Sequence, residues 1–302
     1  MRTIQTLIDR MIDESWQELL VNGTTSMTLI AQDQKATCTA SPFSDAYDMS
    51  RLIQDFARSH KVRVDPMRPA GGGIIDIDGD CSVRWHVMMP PVASTGPQLS
   101  LRQLSWSHIS LSSFHHLPEN QKMLEELRHR GCVFFSGPTG SGKTTLMTKL
   151  IDNSFSEERL FILETLPEIP LLSDRWVRLV EQLPNMEGQG AFSLTDLLRE
   201  SLRMRPDRFV LGEIRGQEAL ALFQMLMASH EGVWATIHAS GPDMLVPRLS
   251  QLSGVHEAEW QQLFEGLKPC YVQMQRKKPR VAGLFQFENG TFHPIFFDQK
   301  PA

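Results

Sequence analysis

Gly137-Pro138-Thr139-Gly140-Ser141-Gly142-Lys143-Thr144 reads G-x-x-x-x-G-K-T, with Thr145 following it. This is the spacing of a phosphate-binding loop. Its context is right as well, with the apolar run Cys132-Val133-Phe134-Phe135 before it and a helical segment from Thr145 to Ile151 after it. Glycines let successive backbone N–H groups turn inward, and the helix N-terminus adds positive potential, so the loop can cradle a triphosphate. In such a loop Lys143 reaches the β- and γ-phosphates and the Thr144 hydroxyl ligates Mg²⁺. A chance glycine-rich turn would lack both flanks. The expected ligands are ATP and Mg²⁺.

Hydrolysis also needs a carboxylate at the end of a nearby strand, to orient water or to help hold the metal. The apolar run Phe209-Val210-Leu211-Gly212 leads into Glu213, the expected water-polarising residue. Glu164 ends Leu160-Phe161-Ile162-Leu163 in the same way, and on its own it is equally a solvated glutamate. His238 follows Ala235-Thr236-Ile237 and is either a γ-phosphate sensor or a satisfied structural histidine. Arg199, Arg203, Arg205, Arg208 and Arg215 cluster around Glu213 in sequence. Some of them could neutralise phosphate or act across a subunit interface, and the rest would form structural ion pairs. Met225 and Met227 read as core packing.

A chain of 302 residues has room for two domains, each with a core. The net charge of −5 gives no global basic field, which speaks against nucleic acid as partner. The scattered Cys38, Cys81, Cys132 and Cys270 form no C-x-x-C pair, so a zinc site is not expected, and free thiols fit a reducing cytosol. Charges interrupt the N-terminal apolar residues, unlike a signal peptide. No stretch approaches the ~18 apolar residues of a membrane span. The expectation is a cytoplasmic protein that meets a membrane through partners.

Residues 4 to 20 place Ile4, Leu7, Ile8, Met11, Ile12, Trp16, Leu19 and Leu20 on one helical stripe. A strand over Met27–Ile30 and a helix over Met49–Ser59 follow. Gly71-Gly72-Gly73 marks a loop, and Ile74 to Asp80 a strand entering an Asp-Gly turn. Further strands lie over Cys81–Met89 and Gln98–Leu104, on either side of Pro90-Pro91. This makes residues 1–105 a smaller α+β domain and 106–118 a linker. From 119 to 302 strands alternate with helices, the pattern of a mostly parallel α/β sheet. Ser193-Leu194-Thr195-Asp196 reads as a capping box. Asn289-Gly290 between alternating runs reads as a hairpin turn.

Taken together, Ser201-Leu202-Arg203-Met204-Arg205-Pro206-Asp207-Arg208, Gly212-Glu213-Ile214-Arg215-Gly216 and Glu218-Ala219-Leu220 resemble the secretion (traffic) ATPases of type II and type IV secretion and type IV pili. Ser229-His230-Glu231-Gly232 with Ala235-Thr236-Ile237-His238-Ala239 resembles that family's histidine box, and Glu164-Thr165-Leu166-Pro167-Glu168-Ile169 its aspartate box. Pro184-Asn185-Met186-Glu187-Gly188-Gln189-Gly190 is most similar to the CpaF/TadA branch, which assembles Flp (Tad) pili. Pro90-Pro91 with Leu99-Ser100-Leu101-Arg102 resembles the end of the family's N-terminal domain.

The resemblance implies a homohexameric ring of RecA-like P-loop NTPase domains with ATP between subunits, N-terminal domains that move as rigid bodies, and docking on inner-membrane platform proteins. It implies that Gly137 to Thr145 bind nucleotide, that Glu213, Glu164 and His238 serve catalysis together with Arg203 and Arg215, and that Arg102 and Arg84 contact nucleotide. Thr165 departs from the family, which has an acidic residue after the aspartate-box glutamate, and Ser229 replaces a glycine. The tetracysteine element of the type II branch is absent, and the extra N-terminal helical region of longer pilus ATPases is not expected. The expected function is an ATP-hydrolysing motor for pilus assembly or secretion. A regulatory nucleotide-binding ring with low turnover and a nucleic-acid motor are the alternatives.

Overall fold

The computed structural model describes residues 3–31, 36–78, 81–105, 110–114, 122, 124–185, 187, 189–230, 232–277 and 280–297. Most of the expected 106–118 linker, Gly79 and Asp80 of the Asp-Gly turn, Met186, Gly188 and Glu231 lie outside them. The chain divides into two compact units, residues 1–108 and 109–302.

In the first unit, α1 (Ile4–Asp13) opens on a Thr3–Thr6 capping box and buries Ile4, Leu7, Ile8 and Met11. It does not run to residue 20. Ser15 takes φ 57°, and Trp16–Asn22 is strand β1, with Leu19 and Val21 buried two residues apart. A period of 3.6 and a period of 2 fit equally well over so short an apolar run, and pairing with two neighbouring strands decides for the strand. After β2 (Ser26–Ala31) and β3 (Ala36–Ala40) comes α2 (Ala46–Ser59). It starts earlier than its apolar stripe because the Asp45 carboxylate accepts the Tyr47 N–H.

Gly71-Gly72-Gly73 is likewise no loop. It lies inside β4 (Ala70–Asp76), paired along its length with β5 (Cys81–Met88), which in turn pairs with β6 (Gln98–Ser105). A Cβ at Gly71 would stand 2.6 Å from Val64, and one at Gly72 2.7 Å from the Trp85 carbonyl oxygen. These glycines are needed for packing. The antiparallel sheet runs β3-β2-β1-β6-β5-β4, and α1 and α2 share a core with Leu19, Val83, Trp85 and Leu101.

The second unit holds the sheet β14-β13-β12-β7-β11-β10-β8-β9. From β12 to β9 neighbouring strands are parallel, and β12-β13-β14 is an antiparallel extension. The strands are β7 (Cys132–Ser136), β8 (Leu160–Glu164), β9 (Val177–Val180), β10 (Arg208–Ile214), β11 (Val233–Ile237), β12 (Cys270–Met274), β13 (Val281–Glu288) and β14 (Thr291–Phe297). Asn289 and Gly290, at φ 52° and 80°, make the expected turn between β13 and β14.

Apolar runs in the parallel strands split between two cores by simple alternation. Phe134, Leu163, Leu211 and Ala235 pack with α4 (Leu194–Ser201), α5 (Glu218–Met227), α6 (Leu245–Ser253) and α7 (Glu257–Leu267). Val133, Phe135, Ile162, Val210 and Trp234 pack with α3 (Lys143–Ser154) on the other face. Ser193 and Asp196 form the expected capping box. Among the described residues no helix is long and apolar enough to cross a membrane.

Gly72→Ala is expected to destabilise the first unit by about 1–3 kcal/mol, because the clashing atom belongs to the backbone. Urea unfolding checks this, and an unchanged midpoint would restore the loop reading.

Candidate active site at the strand ends

The parallel strands all point their C-terminal ends to one edge of the sheet, where open α/β sheets bind ligands. In the order β7-β11-β10-β8, these ends carry Gly137, His238, Glu213 and Glu164.

The phosphate loop leaves β7 with Gly137, Gly140 and Gly142 at φ 147°, 78° and 89°. A Cβ on Gly137 would stand 2.4 Å from the Met274 carbonyl oxygen of β12. Lys143 is buried, and its Nζ donates to the carbonyls of Gly137 (2.9 Å) and Pro138 (3.2 Å). The Ser141 hydroxyl is buried with no hydrogen-bond partner among the described residues. Pro138 and Thr139 are exposed, while Thr144 and Thr145 are half-buried in the first turn of α3.

His238 ties the loop to Glu213. Its Nδ1 lies 3.1 Å from the Gly137 carbonyl oxygen, and its Nε2 lies 3.0 Å from Glu213 Oε1. Among the described residues the buried Oε1 has no hydrogen-bond partner, so this is an ion-pair contact only. Oε2 accepts from Arg215. Ser136 Oγ donates to the Ala239 carbonyl (3.0 Å) and accepts the Ala239 N–H (2.9 Å), closing β7 onto the end of β11.

The aim of Glu213 depends on a β-bulge. β10 and β11 pair as Leu211↔Ala235 and then Ile214↔Ile237, so Gly212 and Glu213 together oppose Thr236. The glycine inside the apolar run was the available sign of it.

Glu164 is almost fully buried. Its Oε1 accepts the N–H groups of Glu168 (3.0 Å) and Ile169 (2.9 Å), and its Oε2 stands 3.5 Å from Arg178 Nε without a hydrogen bond. Burial pushes its carboxyl up to about 8, partly opposed by the Ile169 N–H and by Arg178. Two strands separate Glu164 from the phosphate loop. Thr165, beside it, is exposed.

The model of the type II/IV secretion system protein family matches residues 50–268, well over half of the chain. The chain belongs to this family. A Mycobacterium tuberculosis protein named for conjugal transfer is 33% identical over 220 residues, covering 70% of this chain and 62% of that relative. VirB11 of Agrobacterium tumefaciens is 44% identical over 110 residues, 36% of this chain and 32% of VirB11. The chain thus spans less than two thirds of the length of these curated relatives. The structure of the pilus retraction motor PilT with bound ADP superposes with a TM-score of 0.65 at 19% identity, over 95% of this chain and 82% of PilT. That likeness is one of fold, an N-terminal domain followed by a RecA-like domain.

Most of the remaining candidate residues lie away from this edge. The arginines do not gather around Glu213, since β10 separates most of them from it. Arg208, at the far end of the strand, binds Glu158 (2.9 Å) and lies over the Phe155 ring. Arg203 makes an exposed contact with Glu200 (3.5 Å), which contributes little. Arg215 alone of the group reaches Glu213. Arg84 and Arg102 face each other across β5 and β6 in the first unit, and Arg102 lies 3.6 Å from Glu18. The histidine-box His230 precedes β11, at the end opposite His238. Ser229, in place of the family's glycine, holds φ 65°, a conformation that glycine adopts without strain.

Two residues with no sequence signal also touch the loop. Arg276 Nε donates to the Thr139 carbonyl (2.9 Å) and Arg280 Nη1 to the Gly140 carbonyl (3.2 Å).

The raised Glu164 pKa has a sign that can be checked. The carboxyl ionises near 4.5 in the unfolded chain and near 8 when folded. Its contribution to stability is full below pH 4.5 and is lost as pH rises through 8. Relative to wild type, Glu164→Gln should therefore melt at a higher temperature at pH 9 than at pH 5. A Tm difference that does not vary with pH would refute the assignment.

Proposed function

We propose that the chain hydrolyses ATP as a homohexameric motor that powers pilus assembly or secretion at the cytoplasmic face of an inner membrane, by acting on platform proteins. The observation that supports this reading is the continuous line Lys143–Gly137–His238–Glu213 across three adjacent strand ends. The family and the names of its conjugal-transfer and VirB11 members support the secretory setting.

In this reading the amides of residues 137–142 bind the phosphates of ATP, and the Lys143 ammonium moves from the loop carbonyls to the β- and γ-phosphates. Water attacks the γ-phosphorus as the bond to the ADP oxygen breaks. Glu213 orients that water and accepts its proton. His238 bridges Glu213 and the loop, so it registers whether the γ-phosphate is present. The Thr144 hydroxyl suits a hard cation, and bound Mg²⁺ would neutralise phosphate charge. Glu164 holds the Thr165–Ile169 turn beside Glu213 and supports catalysis from there. Arg215 acts beside Glu213, and Arg203 from a neighbouring subunit. Arg102 and Arg84 are proposed nucleotide contacts, supported by the resemblance of Leu99–Arg102.

Exposed Thr165, where the family has an acid, favours a second reading, a nucleotide-binding ring with little turnover. Assignment to the Tad-pilus branch rests on the Pro184–Gly190 stretch. Neighbouring genes for a pilin, a prepilin peptidase and paired platform proteins would test it.

Steady-state phosphate release separates the two main readings. Wild type should turn over, and Glu213→Gln should lose at least about 100-fold in kcat while still binding ADP. Near wild-type turnover by the variant would sink the catalytic role. Tight ATP binding without phosphate release by the wild type, with platform protein present, would favour the second reading.

A further inference from the structure

The bulge in β10 decides which face of the sheet Glu213 serves. Phe209 and Leu211 belong to the core under α4–α7, and Val210 to the core under α3. In an unbroken strand Ile214, three residues after Leu211, would face α3. It lies instead in the same core as Leu211. The extra residue at Gly212–Glu213 has inverted the alternation. Glu213, next to Ile214, is thereby turned to the face that carries α3, the helix that opens on Lys143.

An inverted register must satisfy the backbone groups it takes out of the ladder. Thr236, the residue opposite the bulge, does so, because its hydroxyl donates to the Gly212 carbonyl. Thr236 is only 1% exposed, so water cannot readily replace this donor. On the other flank, Glu164 Cγ lies 3.1 Å from the place a Gly212 Cβ would occupy. The bulge is thus clamped between a hydroxyl and a buried glutamate.

We propose that Thr236 is a positioning residue for hydrolysis. Its hydroxyl locks the Gly212–Glu213 bulge, and the bulge holds the Glu213 carboxylate on the phosphate-loop face. Thr236 touches neither nucleotide nor water in this role. The inference rests on the reading of Glu213 as the group that orients water.

The test compares Thr236→Val, which keeps the shape and removes the donor, with Thr236→Ser, which keeps the donor and removes the methyl. Glu213→Gln is assayed in parallel. Thr236→Val should lose roughly 10- to 100-fold in kcat, the scale of a small misplacement of a reacting group. Its KM for ATP should stay within about 2-fold of wild type, since uniform binding is not involved. Thr236→Ser should recover most of the lost kcat. Wild-type kcat in Thr236→Val overturns the proposal, and so does a loss that Ser fails to restore, which would assign the effect to packing of the methyl. If Glu213→Gln is inactive while Thr236→Val is fully active, this inference alone fails. If Glu213→Gln turns over like wild type, the reading of Glu213 fails and takes this inference with it.

Discussion

The strand-end edge of the second unit depends on one carbonyl oxygen, that of Gly137. It accepts from the Lys143 ammonium at 2.9 Å and lies 3.1 Å from His238 Nδ1. A buried ammonium is costly unless oxygens surround it, and here the Gly137 and Pro138 carbonyls supply them. The carbonyl reaches this place because residue 137 is glycine. Its φ of 147°, and the 2.4 Å at which a Cβ would meet the Met274 oxygen, leave no room for a side chain. Both ring nitrogens of His238 face oxygens, so a neutral ring can donate to just one of them.

Much of this edge was legible in the sequence because its signals are local. The loop spacing, the apolar runs ending in Glu164, Glu213 and His238, and the Asn289-Gly290 turn each need fewer than ten neighbouring residues to be read. What was not legible depended on residues distant in sequence. Trp16 to Leu20 continues a helical stripe, and only pairing with two other strands makes it β1. Gly71 to Gly73 looks like a loop until Val64 and Trp85 are seen to require the missing side chains. The arginines around Glu213 are close in sequence, but a strand advances about 3.3 Å per residue, so Arg208 and Glu213 sit at opposite ends of β10.

The phosphate loop also shows the limit of a local motif. Turning amide N–H groups inward turns carbonyls outward, and outward carbonyls need donors of their own. At Thr139 and Gly140 those donors are Arg276 and Arg280, more than 130 positions along the chain. They arrive there because β12 pairs in parallel with β7, and Gln275 and Arg280 are joined by a backbone hydrogen bond beyond its end. Nothing in the arginines' own neighbourhood marks them.

Glu164 and Glu213 show how environment divides the work between carboxylates on adjacent strands. Both end apolar runs of similar length. Glu164 is enclosed: two amide donors fix one oxygen, Arg178 stands near the other, and burial pushes its carboxyl up to about 8. A group so held is suited to keeping a turn in place. Glu213 is half-buried, with one oxygen accepting from Arg215 and the other 3.0 Å from His238 Nε2. Among the described residues each carboxylate leaves one oxygen without a hydrogen bond, Glu164 Oε2 beside Arg178 and Glu213 Oε1 beside His238, so enclosure and not satisfaction separates the two. That difference, beside the motif, supports the proposed role of Glu213 as the base.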